Sequence, residues 1–132
     1  NPDDHYIMDV TMSKEPLTPA VPHGDEQWFD VVKLTIFALI NAEELGISSQ
    51  NVDEMMNSDN IEIRRLLGLE GNYGQEDVGL AVDFAANVIR TMGNYGEIYD
   101  RYMGPEGDSF TLPRALNELW TNGGLIYAPP LR

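Results

Sequence analysis

Between Trp28 and Leu45, apolar side chains recur at a helical spacing on two adjoining faces: Trp28, Val32, Ile36 and Leu39, and Phe29, Phe37 and Ile40. Such a rod is packed on more than one side, between a sheet and other helices. Asp25 is placed to cap its start, with Glu26 in the first turn where the helix dipole favours an acid, and Gly46 to end it. Before it, residues 5–12 are rich in β-formers and predict a short strand, closed by Ser13-Lys14-Glu15-Pro16. Leu17–Val21 is a second extended piece, which Pro19 and Pro22 confine to an edge strand or a connector.

After Gly46 the pattern turns to shorter helices. Asn51-Val52-Asp53-Glu54 and Asp59-Asn60-Ile61-Glu62 both resemble capping boxes. The apolar face Ala81, Phe84, Ala85, Val88, Ile89 and Met92 predicts one amphipathic helix over residues 76–92. Asn94 can cap a helix that ends at Gly104-Pro105, and Thr111 to Trp120 predicts a last helix stopped by Gly123-Gly124. The tail from Leu125 to Pro130 is extended. Gly-Asn-Tyr-Gly occurs at 71–74 and again at 93–96, but its flanks differ, so it reads as two similar turn or cap signals.

The strands are too few to cover the long rod, and the chain opens on Asn1-Pro2-Asp3-Asp4-His5 without an initiator Met. Both features lead us to expect a section of a longer protein. The 132 residues allow one ordinary domain, and no apolar run approaches the roughly 20 residues of a membrane span; the longest, Val31–Ala42, is broken by Lys33, Thr35 and Asn41. A net charge of -14 repels polyphosphate, so nucleic acid and anionic membrane surfaces are poor partners. The absence of cysteine excludes disulfides and thiolate catalysis.

Candidate chemistry is sparse. His5 and His23 lack metal-ligand spacing, no Asp-rich calcium loop occurs, and the serines sit at breaks and caps without a nucleophile-elbow sequence. No metal, cofactor or enzymatic activity is expected. The acidic pairs Glu43-Glu44 and Glu76-Asp77 read as solvated faces, and Tyr95, Tyr99, Tyr102 and Trp120 as core packing rather than a pocket wall.

Several blocks carry a resemblance: Ser13-Lys14-Glu15-Pro16-Leu17, His23 through Asp30, Ala42-Glu43-Glu44-Leu45-Gly46, Asn51 through Met55, Arg64 through Gly68, Gly93 through Ile98, Leu116 through Trp120, and Gly123 through Ala128. In this order they resemble the C-terminal portion of the solute-binding component of general (polar) L-amino acid ABC transporters. The resemblance implies an α/β, two-lobe periplasmic-binding-protein fold, of which this stretch is mostly helical with short strands at its N-terminal end. Residues 1–16 would be the end of the second lobe and the second interlobe crossover, and residues 17–132 the C-terminal part of the first lobe with a helical extension.

The crossover, or hinge, would then be Asp9, Val10, Thr11, Met12, Ser13, Lys14 and Glu15. Asp9 and Pro22 stand where relatives commonly carry Glu and Arg. The family's principal ligand-binding arginine and aspartate precede Asn1, which leaves Ser13 and Glu15 as the candidates here for touching ligand. Implied partners are an L-amino acid and the membrane permease, in the periplasm, with self-association through the 25–45 helix where the remaining lobe is missing. A different class, an independent helical interaction or scaffold domain without a small-molecule ligand, fits the same helices.

Overall fold

Capping chemistry starts the long helix where the sequence places it. In a computed structural model, which describes residues 1–10, 12–13, 15–107 and 111–131, helix α1 runs from Glu26 to Glu44. The Asp25 carboxylate accepts a hydrogen bond from the Trp28 N–H at 3.0 Å. At the other end the Ile47 N–H donates to Ala42 O and the Gly46 N–H to Glu43 O, with Gly46 at φ +70°. That paired closure satisfies carbonyls the helix leaves open, and a left-handed residue makes it possible.

Four shorter helices follow: α2 (Val52–Met55), α3 (Ile61–Leu66), α4 (Phe84–Met92) and α5 (Tyr95–Tyr102). All pack around the C-terminal half of α1 or its neighbours. Ala38 and Ala42 of α1 and Ala85 and Ala86 of α4 are buried, and these small side chains let the two helix backbones approach closely. Ile47, Val52, Ile63, Leu66, Leu67, Phe84 and Ile89 close the core around them.

Three expectations differ from the structure. The apolar period over 76–92 is cut in two: a 3-10 turn at Glu76–Val78 closes at Gly79 (φ 83°), and α4 begins at Phe84. Gln75, fully buried, turns its side-chain carbonyl back to accept the Tyr73 N–H at 2.8 Å, which fixes the loop ahead of that turn. The last helix is replaced by two 3-10 turns, Ala115–Asn117 and Trp120–Asn122. Here the chain folds back: the Trp120 N–H donates to Ile126 O and the Ile126 N–H to Glu118 O, beside a bridge between Leu119 and Ile126. Gly124 sits so close to the Glu118 backbone that any side chain would collide with it.

The third difference is at the N-terminus. Among the described residues, 5–10, 12–13 and 15–24 pair with nothing through backbone hydrogen bonds, so the short strand expected over 5–12 forms no ladder and Leu17–Val21 takes the connector form of its two expected forms. A strand needs a neighbour for its donors and acceptors, and none of the described residues supplies one.

Two caps also differ. Asn51 forms no side-chain cap; it accepts the Ser48 N–H at 2.7 Å and donates to Gly46 O at 3.0 Å, clamping the turn after α1. Helix α3 is capped by Asn60 rather than Asp59, through the Glu62 N–H at 2.9 Å.

Glycine replacements test this packing. Gly46 and Gly68 both have positive φ, but a Cβ at Gly46 meets open space whereas one at Gly68 runs into the Val82 carbonyl. Gly46→Ala should cost about 1 kcal/mol, the conformational term alone. Gly68→Ala should cost about 2–4 kcal/mol, because overpacking adds to it. Urea titrations of the two variants check the difference.

Candidate functional site

The segment assigned to the crossover is a surface feature. Asp9, Val10, Met12, Ser13 and Glu15 are all exposed, and Thr11 and Lys14 lie outside the described residues. Tyr6, Ile7, Met8, Val10, Met12 and Leu17 display their apolar side chains, with exposures from 59% to 89%. The first turn of α1 continues the pattern, for Trp28 and Phe29 are about half exposed, at 50% and 47%. Neither Ser13 nor Glu15 lines the two cavities between α1, α3, the 70–73 loop and the C-terminal tail.

The polar side chains that do converge are committed to holding helices together. Asn94 accepts the Glu97 N–H at 3.0 Å while the Glu97 carboxylate accepts the Asn94 N–H at 2.8 Å, a reciprocal cap on α5. The same carboxylate accepts from the Ser49 N–H at 3.0 Å and the Ser49 hydroxyl at 2.6 Å, and the Asn94 amide donates to Ile47 O at 2.8 Å. One acid thus ties α5 to the loop between α1 and α2. Burial pushes the Glu97 carboxyl up, but the hydrogen bonds from Ser49 and Asn94 and the charge of Arg101 outweigh it and hold it below the ordinary carboxylate value.

Arg114 is the second such node. Its guanidinium forms a forked pair with Glu43 of α1 and donates to Asn117 O at 2.9 Å. The rings of Tyr95 and Tyr99 lie 5.5 and 5.7 Å from it. Gly96 leaves the room, since a Cβ there would stand 3.0 Å from Arg114 and 3.1 Å from Glu43. An arginine already saturated by its own chain is not available to grip a ligand carboxylate. Glu43 therefore is not a solvated acid, and no local sequence signal announces a partner 71 positions away.

A cavity of about 230 Å³ opens between the end of α1, α3 and the C-terminal tail. Trp120 and Tyr127 meet there edge to face, with ring centres 6.1 Å apart, and the Trp120 indole N–H donates to Glu44 at 3.2 Å. The aromatic set of Tyr95, Tyr99, Tyr102 and Trp120 is therefore divided. Tyr95 packs against the core and Tyr102 is 61% exposed, while Trp120, expected in the core, lines this cavity. Among the described residues no three His, Asp or Glu side chains gather as a metal site.

Comparison with known proteins places these features. No family model matches the chain. It is 55% identical to the general L-amino acid-binding periplasmic protein AapJ of Rhizobium johnstonii, aligning over 100% of this chain and 39% of that protein. It is 49% identical to the glutamate/glutamine/aspartate/asparagine-binding protein BztA of Rhodobacter capsulatus, again over 100% of this chain and 39% of the relative. Among solved structures, an ABC transporter/periplasmic binding protein from Brucella ovis with glutathione bound superposes with a TM-score of 0.91. It is 47% identical, and the match covers 100% of this chain and 41% of that one. The fold is thus that of a section of a periplasmic binding protein, and the chain spans about two fifths of the length of these relatives.

The Glu97 node has a pH signature. Its folded carboxyl is depressed, so its contribution to stability is complete above the unfolded glutamate value of about 4.3 and disappears as pH falls through the lower folded value. Glu97→Gln should cost about 1.5–3 kcal/mol at pH 7, the range for hydrogen bonds to a charged group. The gap between wild type and variant should shrink below about pH 4. Denaturant unfolding at pH 7, 5 and 3 measures it; a gap independent of pH contradicts the assignment.

Proposed function

Because the chain is a homologue, along its full length, of amino-acid ABC transporter binding proteins, we propose that it works as one section of a two-lobe periplasmic receptor for L-amino acids. The observation that carries this reading is the match to AapJ at 55% identity over 100% of this chain. The relatives are binding proteins rather than enzymes, and the two nodes described above hold helices rather than assemble a nucleophile and base. Residues 1–16 end the second lobe and cross back to the first; residues 17–132 complete the first lobe with a helical extension. The crossover residues Asp9 to Glu15 absorb the backbone rotation as the lobes close on ligand, and Ser13 and Glu15 come nearest to it. Closure is selected because ligand makes contacts in the closed state that the open state lacks. The closed receptor delivers its amino acid to the membrane permease.

In this arrangement the rest of the receptor covers the apolar face of the arm and of the first turn of α1. Exposed side chains such as Tyr6, Ile7, Met12 and Trp28 support that, since each is left largely uncovered by the described residues. The resemblance implies that the charged groups gripping the zwitterion lie in that remaining part; they are needed because either end left unpaired in a cleft costs several kcal/mol.

Two experiments test the reading. Calorimetry of the 132-residue chain with each L-amino acid should give no micromolar binding, whereas a receptor-length protein carrying this section should gain about 2.7 kcal/mol of stability at a ligand concentration 100-fold above Kd. Micromolar binding by the chain itself, or a receptor-length protein that no amino acid stabilises, overturns it. The uncovered helix face should also make the isolated chain self-associate. Sedimentation should show a concentration-dependent dimer that Trp28→Ser together with Phe29→Ser weakens about tenfold or more, as loss of aromatic anchors does.

A further inference from the structure

The cavity at the end of α1 is unused by the proposal above and is independent of it. Its walls are unusual for an incidental groove. Trp120 and Tyr127 are 52% and 58% exposed, so the ring pair faces outward instead of closing the core. Glu44 is held in place by the Trp120 indole N–H, and Glu62, in the first turn of α3, also lines the cavity. Among the described residues Arg65 is the one cation in the lining, and it lines the neighbouring hollow as well. Two carboxylates against one guanidinium make the described part of the lining net anionic, on a chain whose own charge is -14.

Electron-rich ring faces beside carboxylates are the chemistry that receives an organic cation: the quadrupole attracts the charge and the acids pair with it. The volume of about 230 Å³ has room for one long side chain rather than a folded element. We infer that this cavity docks an arginine or lysine side chain presented by a basic segment of a partner protein, between the Trp120–Tyr127 pair and Glu62. Charge complementarity selects that occupant: an acidic segment meets like charge on two sides, and an uncharged apolar segment leaves both carboxylates desolvated without a partner. Arg65, on the shared wall, favours a segment that carries an acid next to its cation.

The chain has two tryptophans, so Trp28→Phe leaves Trp120 as the only indole reporter. Fluorescence titration of that variant at low salt with acetyl-Gly-Arg-Gly-amide should saturate at millimolar concentrations, the range of a single side-chain contact. The citrulline tripeptide, of the same shape without the charge, should bind at least about fivefold more weakly. Glu62→Gln should weaken the arginine peptide by about threefold, and Glu26→Gln, on the first turn of α1, should leave it unchanged. Should Trp28→Phe fail to fold, the Trp120 indole N–H resonance in the wild-type chain reads the same titration. Equal binding of arginine and citrulline peptides overturns the inference, as does an effect of Glu26→Gln equal to that of Glu62→Gln, which would mean diffuse charge attraction.

Discussion

Two helices approach to backbone contact only where the facing side chains are small. Ala38 and Ala42 on α1 and Ala85 and Ala86 on α4 are small, all four are buried in one core cluster, and the two helices are in contact. The rest of the architecture depends on this seam. With α4 drawn in, Ile89 and Phe84 reach the cluster of Ile47, Val52, Ile63 and Leu67, and the loops at either end must turn sharply to return the chain. Enlarging any of these alanines would push α4 outward and open the cluster along its length, since interiors at native density have no slack to absorb it.

The seam occupies only the C-terminal half of α1. Toward its N-terminus the same helix carries apolar residues that remain partly or half exposed, ending in Trp28 and Phe29. Burial along one continuous helix thus changes from complete to partial within a few turns. The polar nodes follow this division: Glu43 and Glu97 are engaged at the covered end, with Arg114 and Ser49, while Asp30 and Lys33 near the other end make a half-exposed pair at 2.5 Å. A pair of that kind contributes little to stability. The covered half is organised by several specific contacts, whereas the uncovered half keeps the local Asp30–Lys33 pair and one distant bond, from the Gln27 side-chain amide to Val78 O at 2.9 Å.

What could be read from the sequence divides along the same physical line. The ends of α1 were legible because capping is local: Asp25 needs only the N–H three residues on, and Gly46 needs only its own left-handed backbone. The box at Asn94 and Glu97 was legible in part, since the cap is local but the Ser49 bonds come from 48 residues away. The assignments at Asn51 and Asp59 went astray because short polar side chains have several local partners to choose from, and Asn51 takes the turn before it. The two copies of Gly-Asn-Tyr-Gly show the same freedom: Asn72 bonds the Gly74 N–H within its loop, whereas Asn94 caps a helix. An apolar period that continues across Gly79 hid the break before α4, because periodicity records which face is apolar and not whether the backbone is continuous. The crossover rests on block resemblance alone; no pattern among Asp9 to Glu15 marks them as a hinge.

The C-terminal tail shows why the candidate site was the least legible part. Its turns are set by a close backbone approach between Gly124 and Glu118 and by the bonds joining Trp120 to Ile126, which read in one dimension as helix followed by tail. Once folded back, Trp120 cannot occupy the core position that helical spacing assigns to it. It is carried instead to the rim of α1, where Glu44 is within reach of its indole and Tyr127 packs against its edge. The aromatic and acidic walls of that cavity therefore come from one backbone reversal and not from a motif. Its chemistry becomes visible only when residues 76 positions apart are brought together, and the same reversal places Ala128 under Ile40 to seal the core behind it.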